Sequence, residues 1–401
     1  MKICIIGGGT TGWWSAGWLE HKFPDYEITL IESDTIPKIG VGESTLPQIG
    51  QFFRDLGINE KDWMEQSNAV YKYGNIKQGW DHPDAEEMRF MFWVEDIKSI
   101  DNWFQKYFSD SIKKDNINET FWKPGKPYSV AYHLDAERAA DVVRNNCKRV
   151  KHLVQTLDTL PEGYDLYLDC TGLRRQFIKD NTELEFEHHL VDRAWVCPFY
   201  HNGDYDNYTR SIARDNGWQF KIDLTNRLGT GYVFSSRHSS EEQALEDFKR
   251  YTSGMRPYNN KEPRLLKWRP SVLQNPWSDN VVAIGLSSGF LDPLEANALY
   301  MNLYGVQTLA RCLEKGLGAK TYNRLVNRTW RQNSDYITTH YALSNRDDTE
   351  FWRYYKNIDA DQMIWDLYNK SKDEFHVLYG SSIYATLALY YNAFKGYKSV
   401  Q

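Results

Sequence analysis

Residues 2–13 read Lys2-Ile3-Cys4-Ile5-Ile6-Gly7-Gly8-Gly9-Thr10-Thr11-Gly12-Trp13, an apolar run that ends in a glycine cluster. The run has the composition of a short buried strand, and the Gly-x-Gly-x-x-Gly at 7–12 is a turn that carries such a strand into a helix. Helical patterning follows from about Trp13 to His21, and Glu27–Ile31 reads as a second strand that ends at Glu32. The spacing predicts a βαβ unit of about thirty residues, with an acidic residue some twenty positions beyond the last glycine. Gly7 permits the tight turn, Gly9 lets the backbone approach a pyrophosphate, and Gly12 lets helix and strand pack closely. Gly8, Thr10 and Thr11 complete the loop, and the helix N-terminus offers unpaired N–H groups and its positive end to phosphates. Glu32 is placed to accept hydrogen bonds from an adenosine ribose; the plainer alternative is a solvated strand end. The unit is expected to bind a dinucleotide.

Composition bounds the rest of the 401 residues. At about 150 residues per domain the length fits two to three domains or one elaborated α/β unit, large enough for a core without disulfides. A hydrophobic share of 41% with 25% charged residues excludes a disordered chain. The net charge of −6, without a long basic run, speaks against nucleic acid or an acidic membrane as partner. No apolar run approaches the roughly 18 residues that a membrane span needs. The five cysteines are scattered, and no CxxC, Cys/His cluster or HExxH occurs, so a metal site is not expected. The opening residues carry no leader pattern, and a reduced, cytoplasmic protein is the expectation. Aromatic residues are abundant at 15%, which ordinarily means core and interface filling.

Further along, 80–125 shows no clear period, Tyr132–Val150 looks helical, and Tyr164–Asp169 reads as a buried strand. Residues 186–236 alternate like β-strands, with turn signals at Asn202-Gly203, Asn216-Gly217 and Gly229-Thr230-Gly231. Val281–Ile284 is another buried strand, followed by a helix from about Ala296 to Lys315 and helical periodicity beyond Thr321. The expected organisation is a discontinuous module over 1–320, with an inserted substrate β layer at about 60–130 and 186–270, and a helical substrate-side region over 321–401.

Three strand ends bear on which dinucleotide is bound. Gly40–Pro47 is a second glycine-rich loop, Asp165–Gly172 is a strand running into a small-residue turn, and Val282–Glu295 is a strand and loop that enters a helix. Strand ends converging beyond the βαβ unit fit FAD, whose ribityl and ring portions extend past it.

These segments resemble the flavin-dependent tryptophan halogenase family over most of the chain. Gly7–Trp13 matches its opening GGGTxGW, 40–47 its GVGExTxP loop, and Asp169-Cys170-Thr171-Gly172 is similar to its DCSG turn. Gly217–Leu224 with Gly231–Ser236 looks like GWxWxIPL…GYVFSS, and His340-Tyr341 through Arg346–Trp352 resembles HY…RDDTxFW. The resemblance implies a FAD-binding Rossmann-type α/β fold, p-hydroxybenzoate-hydroxylase-like, with an antiparallel β layer and a helical C-terminal portion. It implies FADH2 supplied by a separate flavin reductase, with O2 and a halide ion as further reactants. Hypohalous acid, made at a flavin hydroperoxide, then passes to a lysine beside a small aromatic substrate.

Carried over by position, Lys72 is the expected reacting amine, from Ala69-Val70-Tyr71-Lys72 followed eight residues later by Trp80. An amine buried among aromatics has a lowered pKa and a nucleophilic neutral form; the alternative is a snorkelling surface lysine. Glu295, in Pro293-Leu294-Glu295, stands where the family keeps a glutamate that removes the ring proton or holds the oxidant. The family continues Ser-Thr-Gly where this chain has Ala296-Asn297-Ala298, so Asn297 and Ala298 occupy the halide-binding positions. Ala in place of Gly restricts the backbone there, and bromide or iodide is expected over chloride. Ser44, Leu286 and Leu299 match flavin contacts. Trp218 and Phe220 stand where the family has two tryptophans lining its tunnel, and Asp223 replaces a proline. The short interval from Asp135 to Asp169 and the end at Gln401 suggest a short member with a relaxed substrate pocket. Homo-oligomerisation is left open. The changed tunnel motif keeps a flavin monooxygenase as rival, and a flavoprotein without activity as a third reading.

Overall fold

The βαβ unit forms the middle of a buried sheet. The computed structural model describes residues 1–36, 43–81, 83–84, 87–91, 130–180, 182–201, 203 and 205–359. In chain order the first third contains β1 (Lys2–Ile6), α1 (Thr10–Lys22), β2 (Glu27–Glu32), β3 (Glu43–Ser44), α2 (Gln48–Asp55), α3 (Glu60–Gln66), β4 (Val70–Lys72), β5 (Gly74–Gln78) and β6 (Met88–Met91). Then come β7 (Ala131–Leu134), α4 (Ala136–Asn146), β8 (Lys151–Val154), β9 (Leu166–Asp169), β10 (Glu183–Glu185), β11 (Arg193–Phe199), β12 (Tyr208–Arg214), β13 (Gly217–Asp223) and β14 (Leu228–Phe234). The remainder is α5 (Glu241–Tyr251), β15 (Arg264–Lys267), β16 (Ser271–Leu273), β17 (Trp277–Ser278), β18 (Val281–Ala283), β19 (Gly289–Phe290), α6 (Asn297–Glu314), α7 (Ala319–Ala342) and α8 (Glu350–Lys356).

The first sheet has the order β17-β18-β9-β1-β2-β8 and is parallel except for its β17 edge. Ile3, Cys4 and Ile5 are wholly buried, as a parallel strand covered on both faces requires. Helix α1 is buried along most of its length because α4 and α6 both pack on it. Gly17 makes that approach possible, since a Cβ there would lie 2.5 Å from the Val143 side chain.

The second layer is a seven-stranded sheet, β15-β11-β14-β13-β12-β5-β6, antiparallel except where β12 and β5 run parallel. Two sequence readings are corrected here. The helix expected from Tyr132 begins only at Ala136: Ala131–Leu134 is a buried strand, and Asp135 caps the helix by accepting from the Arg138 N–H at 3.3 Å. Gly229-Thr230-Gly231 is not a turn but the body of β14, where a Cβ on Gly231 would come within 2.7 Å of both Phe220 and Val196. These glycines mark close packing rather than chain reversal. Asn216-Gly217 does join β12 to β13, whereas Asn202 and most of 80–125 lie outside the described residues.

Helices α7 and α8 close one end of this sheet. The wholly buried Trp80 donates its Nε1–H to Ser211 O at 2.9 Å and meets Tyr341 and Trp352 at 5.3 and 5.5 Å between ring centroids. Arg346 sits over the Trp352 ring and pairs with Asp348 at 2.6 Å, and the Thr349 hydroxyl caps α8. The Arg346–Trp352 motif is therefore a clamp that fixes α7 and α8 against the end of β5. Among the described residues no helix is long and apolar enough to cross a membrane.

Candidate active site

Two cavities meet at the C-terminal edge of the parallel sheet. The first, of about 240 Å³, is lined by Gly7–Thr11, Glu32, Thr171, Gly172, Leu286, Ala298 and Leu299 among others. Its floor is built by the glycine turn. Gly7 holds φ +115°, and a Cβ on it would stand 2.3 Å from the Cys170 carbonyl oxygen; one on Gly12 would stand 1.8 Å from Gly7 O. A Cβ on Gly9 would meet nothing within 4 Å, so the open space lies where a pyrophosphate has to approach. Helix α1 has no side-chain cap and no acidic residue in its first turn, leaving its N–H groups available to an anion. Glu32 is at the cavity wall, where His152 Nε2 lies 2.9 Å from its Oε1. Thr10 turns its hydroxyl to Ala136 O at 3.0 Å. The donor set, shape and open floor fit a dinucleotide.

The second cavity, of about 210 Å³, is mostly apolar. It shares Glu43, Leu286 and Ala298 with the first, and is walled by Trp218, Phe220, Trp268, Phe290, Ser44, Thr209, Asn75 and Glu295. Trp218 and Phe220 are thus brought to one wall by i, i+2 spacing on β13. The shared residues make the two spaces neighbours, so a ligand with its phosphates at Gly9 would have this second space open to its far end.

At its inner end lies a buried polar cluster around Glu295. Lys77 Nζ is 2.5 Å from Glu295 Oε1, and both side chains are almost fully sequestered. Asn75 Nδ2 donates to Oε2 at 3.0 Å, the Tyr336 hydroxyl is 3.5 Å from the same oxygen, and His340 Nε2 lies 3.4 Å from Oε1. Burial by itself would raise the Glu295 pKa, but the charges of Lys77 and His340 outweigh it and hold the carboxyl well below its ordinary range. Burial lowers Lys77 and His340 in turn, against the pull of Glu295. His340 Nδ1–H donates to Tyr336 O at 2.8 Å, which leaves Nε2 facing the carboxylate. Glu295 and Ala296 both adopt left-handed backbone (φ +67° and +59°), and this turn aims the carboxylate inward before α6 begins. Strained non-glycine backbone of this kind belongs to sites where geometry is over-determined.

Lys72, the expected reacting amine, is bonded to a backbone carbonyl. It is wholly buried on β4, and its Nζ donates to Thr45 O at 3.1 Å; burial lowers its pKa to about 7, with Glu295 opposing and Lys77 adding to the shift. The lysine in contact with Glu295 is Lys77, which the motif reading missed. One signal was available: Asn75 and Lys77 are two apart on a strand, hence on one face, and lead into Trp80. Tyr336 and His340 were missed likewise, although four apart on α7 they share a face. Asn297 and Ala298 open α6 beside Glu295; Asn297 is buried with Nδ2 3.4 Å from Leu294 O, and Ala298 lines both cavities. Among the described residues no group of three or more His, Cys, Asp or Glu could hold a metal ion.

A nucleotide cradle joined to a sealed amine–carboxylate–imidazole cluster is the build of a dinucleotide-dependent enzyme. A family model described as tryptophan halogenase matches residues 2–393, and the chain belongs to that family of flavin-dependent enzymes. It is similar to tryptophan 7-halogenase KtzQ of Kutzneria sp. (strain 744), 29% identical over 89% of this chain and 79% of the relative. Among solved structures it resembles Xcc4156, a flavin-dependent halogenase from Xanthomonas campestris, with TM-score 0.83, 27% identity and coverage of 97% and 88% of the two chains. BrvH, a flavin-dependent halogenase from Brevundimonas sp. BAL3, gives TM-score 0.80 at 26% identity, covering 98% and 90%.

Proposed function

We propose that this enzyme halogenates electron-rich aromatic substrates using FADH2, O2 and a halide, with Lys77 rather than Lys72 as the amine at the reacting centre. The observation that carries the reading is the 2.5 Å Lys77–Glu295 pair at the inner end of the cavity that continues from the nucleotide cradle. Gly7–Gly12, Thr10, Thr11, Glu32, Ser44, Leu286 and Leu299 would hold FAD. When bound in its reduced form, the cofactor supplies the two electrons with which O2 and halide yield hypohalous acid. Trp218 and Phe220 wall the passage and keep substrate and water away from the cofactor. Lys77 directs the oxidant by donating hydrogen bonds from Nζ. Asn75 and Lys77 hold the two oxygens of Glu295, so that its carboxylate stays ionised and ready to accept the proton lost from the aromatic carbon. His340 backs the same oxygen and spreads the incoming charge.

The halide would lie at the backbone of Asn297 and Ala298, at the start of α6. Ala298 lines both cavities, so its methyl would narrow the space beside a halide held at these amides. That supports bromide or iodide over chloride, because the more easily oxidised halide depends less on exact amide placement. A separate reductase would supply FADH2, since the sequence carries a single dinucleotide fingerprint.

The test is mass spectrometry of phenols, indoles and tryptophan incubated with reductase, FAD and each halide in turn. A halogenated product formed by the native enzyme, absent with Lys77→Met while flavin reoxidation continues, is the expected result. Halogenation retained by Lys77→Met would return the role to Lys72. A hydroxylated product independent of halide would establish a monooxygenase instead.

A further inference from the structure

Ser44, Thr209 and His133 form a buried hydrogen-bonded chain in the wall of the second cavity. His133 Nδ1 is 3.1 Å from the Asp223 carbonyl, Nε2 is 2.9 Å from Thr209 Oγ1, and Thr209 Oγ1 is 2.7 Å from Ser44 Oγ. The direction of each bond follows from its end. A carbonyl only accepts, so Nδ1 carries the imidazole proton and Nε2 of the neutral ring is an acceptor. Thr209 must then donate its single hydroxyl proton to Nε2 and accept from Ser44. Ser44 has spent its own proton on Thr209, and its oxygen retains only lone pairs for anything in the cavity. The ring stays neutral because burial lowers its pKa to about 3 and the neighbouring Lys72 charge adds to the effect. Ser44 and Thr209 both line the cavity, and Ser44 follows directly on Glu43, which borders the nucleotide cradle as well.

We propose that this chain is a redox-state filter: it presents Ser44 Oγ to the cavity as an acceptor and so selects reduced over oxidised flavin. The inference rests on the reading that the cavity takes the flavin ring. The two forms differ in hydrogen bonding at N5, and the proposal sets that edge of the ring against Ser44. The reduced ring system carries an N–H at N5, where the oxidised one has a bare nitrogen that accepts. A hydroxyl free to rotate would serve both forms, whereas one whose proton is committed serves only the donor. Thr209 and His133 act through Ser44 and are positioning residues. Nothing in the cradle around Gly9 distinguishes the two redox states, because the phosphates and ribose are the same in both.

The experiment measures anaerobic dissociation constants for oxidised and reduced FAD in the native protein and in Ser44→Ala, Thr209→Val and Thr209→Ser. The native protein is expected to favour reduced FAD. Ser44→Ala should lower the ratio of the oxidised to the reduced constant by about tenfold, the worth of one buried hydrogen bond. That corresponds to a fall of about 30 mV in the two-electron midpoint potential of the bound flavin. Thr209→Val frees the Ser44 proton to donate to the oxidised ring, so its ratio should fall at least as far. Thr209→Ser retains the hydroxyl and should keep the native ratio. Binding of both forms with an unchanged ratio in Ser44→Ala and Thr209→Val would overturn the filter and leave the flavin reading standing. An equal loss of both forms would do the same, as the mark of a merely structural role. Failure of the native protein to bind either form would overturn both.

Discussion

Lys72 and Lys77 are five residues apart and wholly buried, yet Lys77 lies against the Glu295 carboxylate while Lys72 donates to the Thr45 carbonyl. The difference arises at Tyr73, where the chain leaves one small sheet and joins another, reversing which parity of residues faces inward. The motif carry-over therefore named the stretch, and the lysine in it that contacts Glu295 is Lys77. Lys72, held to a carbonyl, has a folded pKa of about 7, below the roughly 10.4 of an unfolded lysine. Folding expels a proton between those values, so this group makes stability rise with pH across that window, by up to about 1.4 kcal/mol per unit. Lys72→Met should be more stable than the native protein near pH 7, with the difference closing towards pH 10, as read by denaturant titration at each pH. Lys77 is lowered in both proteins and cancels in that comparison. The glycine turn, in contrast, was legible in full, because its demands are local. Gly9→Ala should fold normally, since its Cβ meets no atom, but lose FAD affinity by tenfold or more, checked by fluorescence titration. Gly12→Ala should lose thermal stability outright, because its Cβ collides with Gly7 O.

The elements follow the same division between local and distant causes. Alternation along 186–236 was sufficient to announce the antiparallel layer, although only the outer strands such as β11 alternate in burial and β14 is buried on both faces. It failed at Gly229-Thr230-Gly231, where the small residues answer to the Phe220 ring on the neighbouring strand. The turn before α6 is the element on which the site depends. Its two left-handed residues, Glu295 and Ala296, carry strain that only the surrounding contacts maintain. Ala296→Gly removes about 1–2 kcal/mol of strain and restores about 0.5–1 kcal/mol of unfolded-state entropy. A net gain of about 0.5–1 kcal/mol should appear as a higher denaturant midpoint. Glu295→Gln keeps the shape of the side chain while removing its basicity. Product formation should fall by at least about 100-fold with flavin reoxidation unaffected, seen by comparing product with oxygen uptake. Ala298→Gly removes the methyl from the passage and should raise chloride use relative to bromide in a competition assay.

Across the whole molecule, sequence patterning reveals the layers but not which of their edges meet. Glu295, in the turn before α6, is met by groups from β5 and from α7, with 220 positions separating Asn75 from the carboxylate it holds. No periodicity encodes such a meeting, and only the docked layers create it. The consequence belongs to the order in which a ribosome delivers the chain. Synthesis runs from the N-terminus, and among the described residues those that line the nucleotide cradle end at Asn302. Tyr336 and His340 come afterwards, and the clamp of Ser344 and Arg346 on the strand end at Gly79 and Trp80 comes later still. A nascent chain thus holds every described cradle residue before it holds the imidazole that faces Glu295 or the clamp at the end of β5. The cluster around Glu295 is completed later in synthesis than the cradle it adjoins, because its last groups are carried by α7.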